Sequence, residues 1–173
     1  SEVAPGVVTP QAFVASLGDA LFEAGYDQVL VWDPLGGFRA MPRRGHPASD
    51  GETLLRELGL APVDGAAAAG PDLLGATLPR LVERQGAPVA LVVDFASRLV
   101  VRNDGLTAAE HQLFTQALVL SHRARARPVG EGRVPFFNTV LWVVDKEGDL
   151  PDWLLVDNPC LRHVPVSRPD LPA

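Results

Sequence analysis

The sequence predicts an α/β domain, a three-layer sandwich with helices covering a mostly parallel, five-stranded sheet. Three observations predict it. Segments of helical and strand-like patterning alternate along the chain. Two short runs, Pro88–Val93 and Thr139–Val144, are apolar almost throughout, as strands buried on both faces of a parallel sheet are. Helix-length segments separate successive strands, which gives βαβ units with right-handed crossovers.

The first element is a helix over 9–25. Thr9 is a cap, Pro10 suits the first turn and Gly25 the left-handed exit, while Phe13, Leu17, Leu21 and Ala24 recur at helical spacing. Gln28-Val-Leu-Val-Trp32 then reads as a strand, ending in a turn-rich loop that holds Asp33-Pro34 and Gly36-Gly37. Ser49 and Glu52 have capping-box spacing ahead of Leu54, Leu55 and Leu58, so a short helix follows and closes at Gly59. A weak strand is expected near Ala61-Pro62-Val63, and a Gly/Ala-rich stretch leads to a helix from Pro71 with a kink at Pro79. Next come the strand Pro88–Val93, a helix opened by the box Thr107/Glu110 and running to about Arg125, and the strand Thr139–Val144. A last strand is expected over Leu161–Val166.

Composition narrows the function. The chain has 173 residues, a net charge of −6 and a pI near 5.1, which argues against nucleic acid or an anionic membrane as partner. The length fits one domain, 1–173, with a core over 26–170. Cys160 is the single cysteine, so no intrachain disulfide forms and a reducing, cytoplasmic setting is expected. Lys146 is the only lysine among 15 Lys and Arg residues. The chain opens on Ser1 with no signal segment or bilayer-length apolar run, and is read as a piece of a larger, bacterial protein.

Open parallel sheets bind ligands at the carboxyl ends of their strands, and Asp33, Asp94 and Asp145 fall at or just beyond three such ends. Polar residues also simply terminate buried strands.

The segment Pro88–Asp170 resembles the second half of the nucleotide-binding core of AAA-family ATPases. Pro88-Val-Ala-Leu-Val-Val-Asp94 is similar to their Walker B strand, whose aspartate holds magnesium, and Asn138–Val144 to their sensor-1 strand. Leu161–Val166, followed by Arg168-Pro-Asp170, resembles the last strand and its exit toward a helical lid. The resemblance implies a P-loop fold with the first strand lying between the last and the sensor-1-like strand. It also implies a competent module, if present, after Asp170.

The departures carry the functional expectation. A Walker A loop reads G-x-x-x-x-G-K followed by Ser or Thr, so that backbone amides and a lysine cradle phosphates while a hydroxyl holds magnesium. After the first strand this chain reads Trp32-Asp-Pro-Leu-Gly-Gly-Phe-Arg39, with no lysine and only Arg39 to supply charge. Phe95 stands where the family places a catalytic glutamate after the Walker B aspartate, and a phenyl ring accepts no proton. Losing lysine, hydroxyl and base together removes the positioning and charge that drive phosphoryl transfer.

The expectation is therefore a non-catalytic, degenerate AAA-like domain that serves assembly, docking or regulation through protein partners or neighbouring AAA-type subunits. It carries no cofactor of its own, with ATP and magnesium the group to test. Gly36, Gly37, Arg39, Asp94 and Asp145 are the residues of its degenerate nucleotide site, and Arg162 is the inter-subunit candidate. Two rivals stand beside it. One is a sensor that binds nucleotide without hydrolysing it. The other is a small-molecule enzyme with Asp33, Asp94 and Asp145 as a magnesium-binding rim.

Other constellations have structural explanations. His111 and His122 are too far apart along their helix for paired ligation, and Cys160 beside His163 lacks an oriented base. Arg123, Arg125 and Arg127 suit a helix C-terminus, and Trp142 and Trp153 suit a core.

Overall fold

The structure is a computed structural model that describes residues 10–60, 70–94, 108–123 and 137–144, together with Val164. In chain order its elements are α1 (Pro10–Ala24), β1 (Gln28–Asp33), β2 (Gly37–Ala40), α2 (Ala48–Glu57), α3 (Pro71–Glu83), β3 (Val89–Val93), α4 (Ala108–Arg123) and β4 (Thr139–Trp142).

The strands form one mixed sheet in the order β2-β1-β3-β4. β1 pairs with β3 in parallel (Leu30 with Leu91, Trp32 with Val93), and β3 with β4 in parallel (Leu91 with Val140, Val93 with Trp142). β2 runs antiparallel to β1, with Asp33 opposite Gly37 and Val31 opposite Arg39. The expectation of a mostly parallel sheet thus holds for three of the four described strands, and β2 is an addition to it. The strands expected near Ala61–Val63 and over Leu161–Val166 lie outside the described residues, apart from Val164, which is exposed and in no strand.

The expected strand order is overturned. β1 does not neighbour the sensor-1-like strand β4; it lies between β2 and β3. The chain leaving β1 turns straight back as a hairpin, so β2 takes one flank of β1 and β3 pairs in parallel on the other.

Side-chain alternation divides the core into two layers. Leu30 and Trp32 of β1 and Val89, Leu91 and Val93 of β3 point to one face, where Leu54 of α2 and the Leu58 that caps it, Leu74, Leu78 and Leu81 of α3, and Leu113 and Phe114 of α4 cover them. Val29, Val31, Ala90 and Val92 point to the other face, beneath Val14 and Leu21 of α1. All five residues of β3 are buried, which explains its lack of polar side chains. Each such Val or Leu contributes roughly 1.5–3 kcal/mol of transfer free energy.

Helix ends follow the expected signals at their C-termini. Gly25 and Gly59 take positive φ angles of 114° and 73°. The Tyr26 amide then reaches the Leu21 carbonyl at 3.1 Å, and the Leu60 amide reaches Leu55 at 2.7 Å, the bonds of a Schellman exit. One start differs from expectation. α2 begins at Ala48 with Pro47 as its cap and no side-chain cap bond, so the Ser49/Glu52 box does not form. Ser49 is already inside the helix, where its carbonyl accepts the Thr53 hydroxyl at 2.9 Å. α3 continues through Pro79 to Glu83. Thr107 and Thr9 lie outside the described residues.

Among the described residues no helix is long and apolar enough to cross a membrane.

Candidate functional site

The carboxyl ends of β1 and β3 form the rim where the candidate residues were expected. Trp32 and Val93 are register partners, so Asp33 and Asp94 follow side by side on adjacent strands. Asp94 is only 7% exposed, and its amide donates to the Trp32 carbonyl at 2.8 Å, which carries the β1–β3 pairing to the edge of the rim.

Between Asp33 and Gly37 the chain makes a three-residue turn through Pro34, Leu35 and Gly36. Each residue suits it: Asp at the first position, Pro at the second, and a glycine where φ turns positive, at Gly37 with 66°. The Asp33 carboxylate closes the turn from within. Its Oδ1 accepts the amides of Leu35 at 2.9 Å and Gly36 at 2.6 Å, and its Oδ2 accepts the Arg39 guanidinium. A Cβ on Gly36 would lie 3.1 Å from Oδ2, so a side chain there would crowd the carboxylate. Burial pushes the Asp33 carboxyl up, but the Gly36 and Leu35 amides and Arg39 outweigh it and hold the group below the ordinary aspartate value.

This geometry bears directly on phosphate binding. A phosphate-cradling loop presents unpaired amides at the N-terminus of a helix, backed by a cation. Here the Leu35 and Gly36 amides and Arg39 already share one internal anion, and the element after the turn is a strand. The first helix after β1 begins only at Ala48, beyond β2. Gly36, Gly37 and Arg39 therefore have complete structural roles within the hairpin.

Asp94 shares the rim with Asp33. Asp145, Arg162, Phe95, Cys160 and His163 lie outside the described residues. Among the described residues no three His, Cys, Asp or Glu side chains stand close enough to hold a metal ion. The acidic-rim reading loses Asp33 in particular, whose two oxygens are occupied by the turn.

Asn138, read in the sequence only as the first residue of the sensor-1-like strand, is a buried polar residue at the opposite end of the sheet. Asn138, 6% exposed, precedes β4. Its Nδ2 donates to the carbonyls of Leu81 at 2.7 Å and Arg84 at 3.2 Å, and its Oδ1 accepts the Val89 amide at 3.0 Å. It thus joins the end of α3, the first amide of β3 and the entry to β4. Arg80 reinforces the same end by donating to the Leu58 carbonyl at 2.9 Å. Polar residues at strand starts are common, so Asn138 gave no periodic signal. What the sequence offered was its place at the head of an apolar run, with no structural role attached.

A family model described as "AAA+ chaperone, N-terminal Rossmann-like domain" matches residues 4–167. No curated protein and no solved structure matches the chain.

Proposed function

The chain belongs to the family of AAA+ chaperone N-terminal Rossmann-like domains, and from that membership we propose that it is a non-catalytic docking domain of a larger chaperone ATPase. In this reading the domain works in the cytoplasm, takes part in assembly or in holding a protein client, and leaves nucleotide chemistry to a separate module.

The observation that supports it is the closed turn after β1. The amides and the cation that a phosphate would need are bound to Asp33. The sequence adds that no lysine stands in or directly after that turn, and that Phe95 occupies the position of a water-activating carboxylate. A protein partner is also in keeping with the net charge of −6, which disfavours nucleic acid.

Calorimetry of the purified chain with ATP and ADP, with and without magnesium, tests the nucleotide half of the proposal. No heat of binding and no magnesium-dependent phosphate release are expected. A saturable heat at millimolar nucleotide would return the sensor reading in its place. The docking half is tested in the full-length parent by deleting this segment. Basal ATPase activity should survive, and its stimulation by client protein should fall.

A further inference from the structure

The face of α1 that meets the sheet carries a notch between its apolar side chains. Gly18 is buried and lies one helical turn from both Val14 and Leu21, which cover Val29, Val31, Ala90 and Val92. A Cβ on Gly18 would overlap the Sδ and Cε of Met41, so the thioether rests against the helix backbone itself. Met41 reaches α1 from a fixed position. It directly follows β2, and its amide donates to the Val29 carbonyl at 2.8 Å. It is the single methionine of the chain, it packs against this layer of the core, and it is partly exposed.

Arg43, two residues on, ties the same segment to the far end of the helix. Its Nη1 donates to the carbonyl and to Oδ1 of Asp27, both at 3.2 Å, and its guanidinium stands 5.6 Å from the centre of the Phe22 ring. The two ties differ in chemistry. The Arg43 tie contains no sulfur, whereas the Met41 contact is made by a thioether, a group that peroxides oxidise.

We propose that Met41 is a redox-sensitive latch on α1, which a peroxide opens by converting the thioether to the sulfoxide. The sulfur lone pair attacks the peroxide, and an S–O bond forms as the O–O bond breaks. The departing hydroxide takes up the proton of the transferred oxygen and leaves as water; sulfur gives up two electrons and the peroxide accepts them. The sulfoxide is polar, and its oxygen has no donor to meet against an apolar helix face. The end of the side chain therefore withdraws to water, the notch is left empty, and the middle of α1 loosens while Arg43 keeps its C-terminal end tethered. Reduction of the sulfoxide returns the thioether to Gly18. This latch is independent of the docking reading above.

The test treats the purified chain with hydrogen peroxide until mass spectrometry finds one added oxygen on the peptide that holds Met41, and then follows amide hydrogen exchange. Loss of the Met41 contact should speed exchange of the α1 amides about tenfold and leave those of α3 unchanged. A methionine sulfoxide reductase should restore the starting rate. Met41→Leu keeps an apolar side chain without sulfur and should show no change on treatment. Gly18→Ala fills the notch and holds the thioether outside it, so Met41 should still take up oxygen while α1 exchange stays as it was. Cys160 is present in every sample, so its own oxidation cancels in the comparison. Sulfoxide at Met41 with α1 exchange unchanged overturns the latch, as does an equal rise in wild type and either variant, or a rise in α3 as large as that in α1. A Met41 that takes up no oxygen under conditions that oxidise N-acetylmethionine overturns it as well.

Discussion

Asp33 and Arg39 face one another across the β1–β2 turn, joined by a charge-assisted bond, while the other oxygen of the same carboxylate holds two turn amides. The pair converts what reads as a glycine-rich binding loop into a finished hairpin. Asp33→Ala deletes an acceptor that serves three donors, and hydrogen bonds to a charged group are worth about 1.5–3 kcal/mol. Since Arg39 is half exposed and can turn to water, a loss of about 2 kcal/mol is expected by urea denaturation. A loss below a few tenths would show that the turn holds itself.

The same carboxylate predicts an acid dependence. Asp33 titrates below its unfolded value because the Gly36 and Leu35 amides and Arg39 outweigh the effect of burial. Its contribution is therefore fully present above the unfolded aspartate value of about 3.9 and is lost as pH falls through the lower folded value. The stability gap between wild type and Asp33→Asn should be constant from neutral pH down to about 5 and close below about 4. A gap that persists unchanged into strong acid would refute the assignment.

Two glycines in helices make opposite predictions. A Cβ on Gly51 would lie 2.4 Å from the Ala40 Cβ, a stub fixed to β2 that cannot rotate away. A Cβ on Gly18 would also meet atoms at 2.4 Å, but these are the Sδ and Cε of Met41, the end of a flexible side chain. Alanine gains about 1 kcal/mol of helix propensity over glycine at either site. Gly51→Ala should nonetheless destabilise by about 1–3 kcal/mol as α2 is forced off the sheet. Gly18→Ala should change the melting temperature little, and the reverse ranking would contradict the packing.

Asn138 predicts the largest single loss. Asn138→Ala strands the buried Val89 amide and removes a donor from the Leu81 and Arg84 carbonyls, at a cost of about 3 kcal/mol. Asn138→Asp keeps the acceptor for Val89 but sets a negative charge against two carbonyls, so it should be at least as harmful. Thermal melts of both variants decide it, and a mild Asp variant would mean that the carbonyls are satisfied by water.

Much of this architecture was legible in local pattern. The apolar periods of α1 and α3, the unbroken run of β3 and the glycine exits at Gly25 and Gly59 are properties of neighbouring residues, and each appears where it was read. The hairpin escaped because Asp33-Pro34 and Gly36-Gly37 are equally at home in any tight loop. The short alternation that marks β2 covers only four residues. Strand order escaped for a different reason: which strand lies beside β1 depends on partners roughly sixty positions away, such as Val93 for Trp32. At the turn after β1 the residues were noticed but their pairing was not, since a carboxylate beside two glycines does not declare whether its partners are ligand atoms or its own amides.

Among the described residues, the two faces of the sheet are unequally defended. Three helices shield Leu30, Trp32 and their neighbours, but among the described residues Val29, Val31, Ala90 and Val92 have the single helix α1 above them. That helix is joined to the sheet by a short connection through Gly25 and Tyr26, so a protease cutting there would release it as one piece. The remainder would carry a bare, flat layer of branched side chains, the kind of surface that drives clumping of chains in solution. Among the described residues, α1 is thus the cover that keeps this layer from self-association.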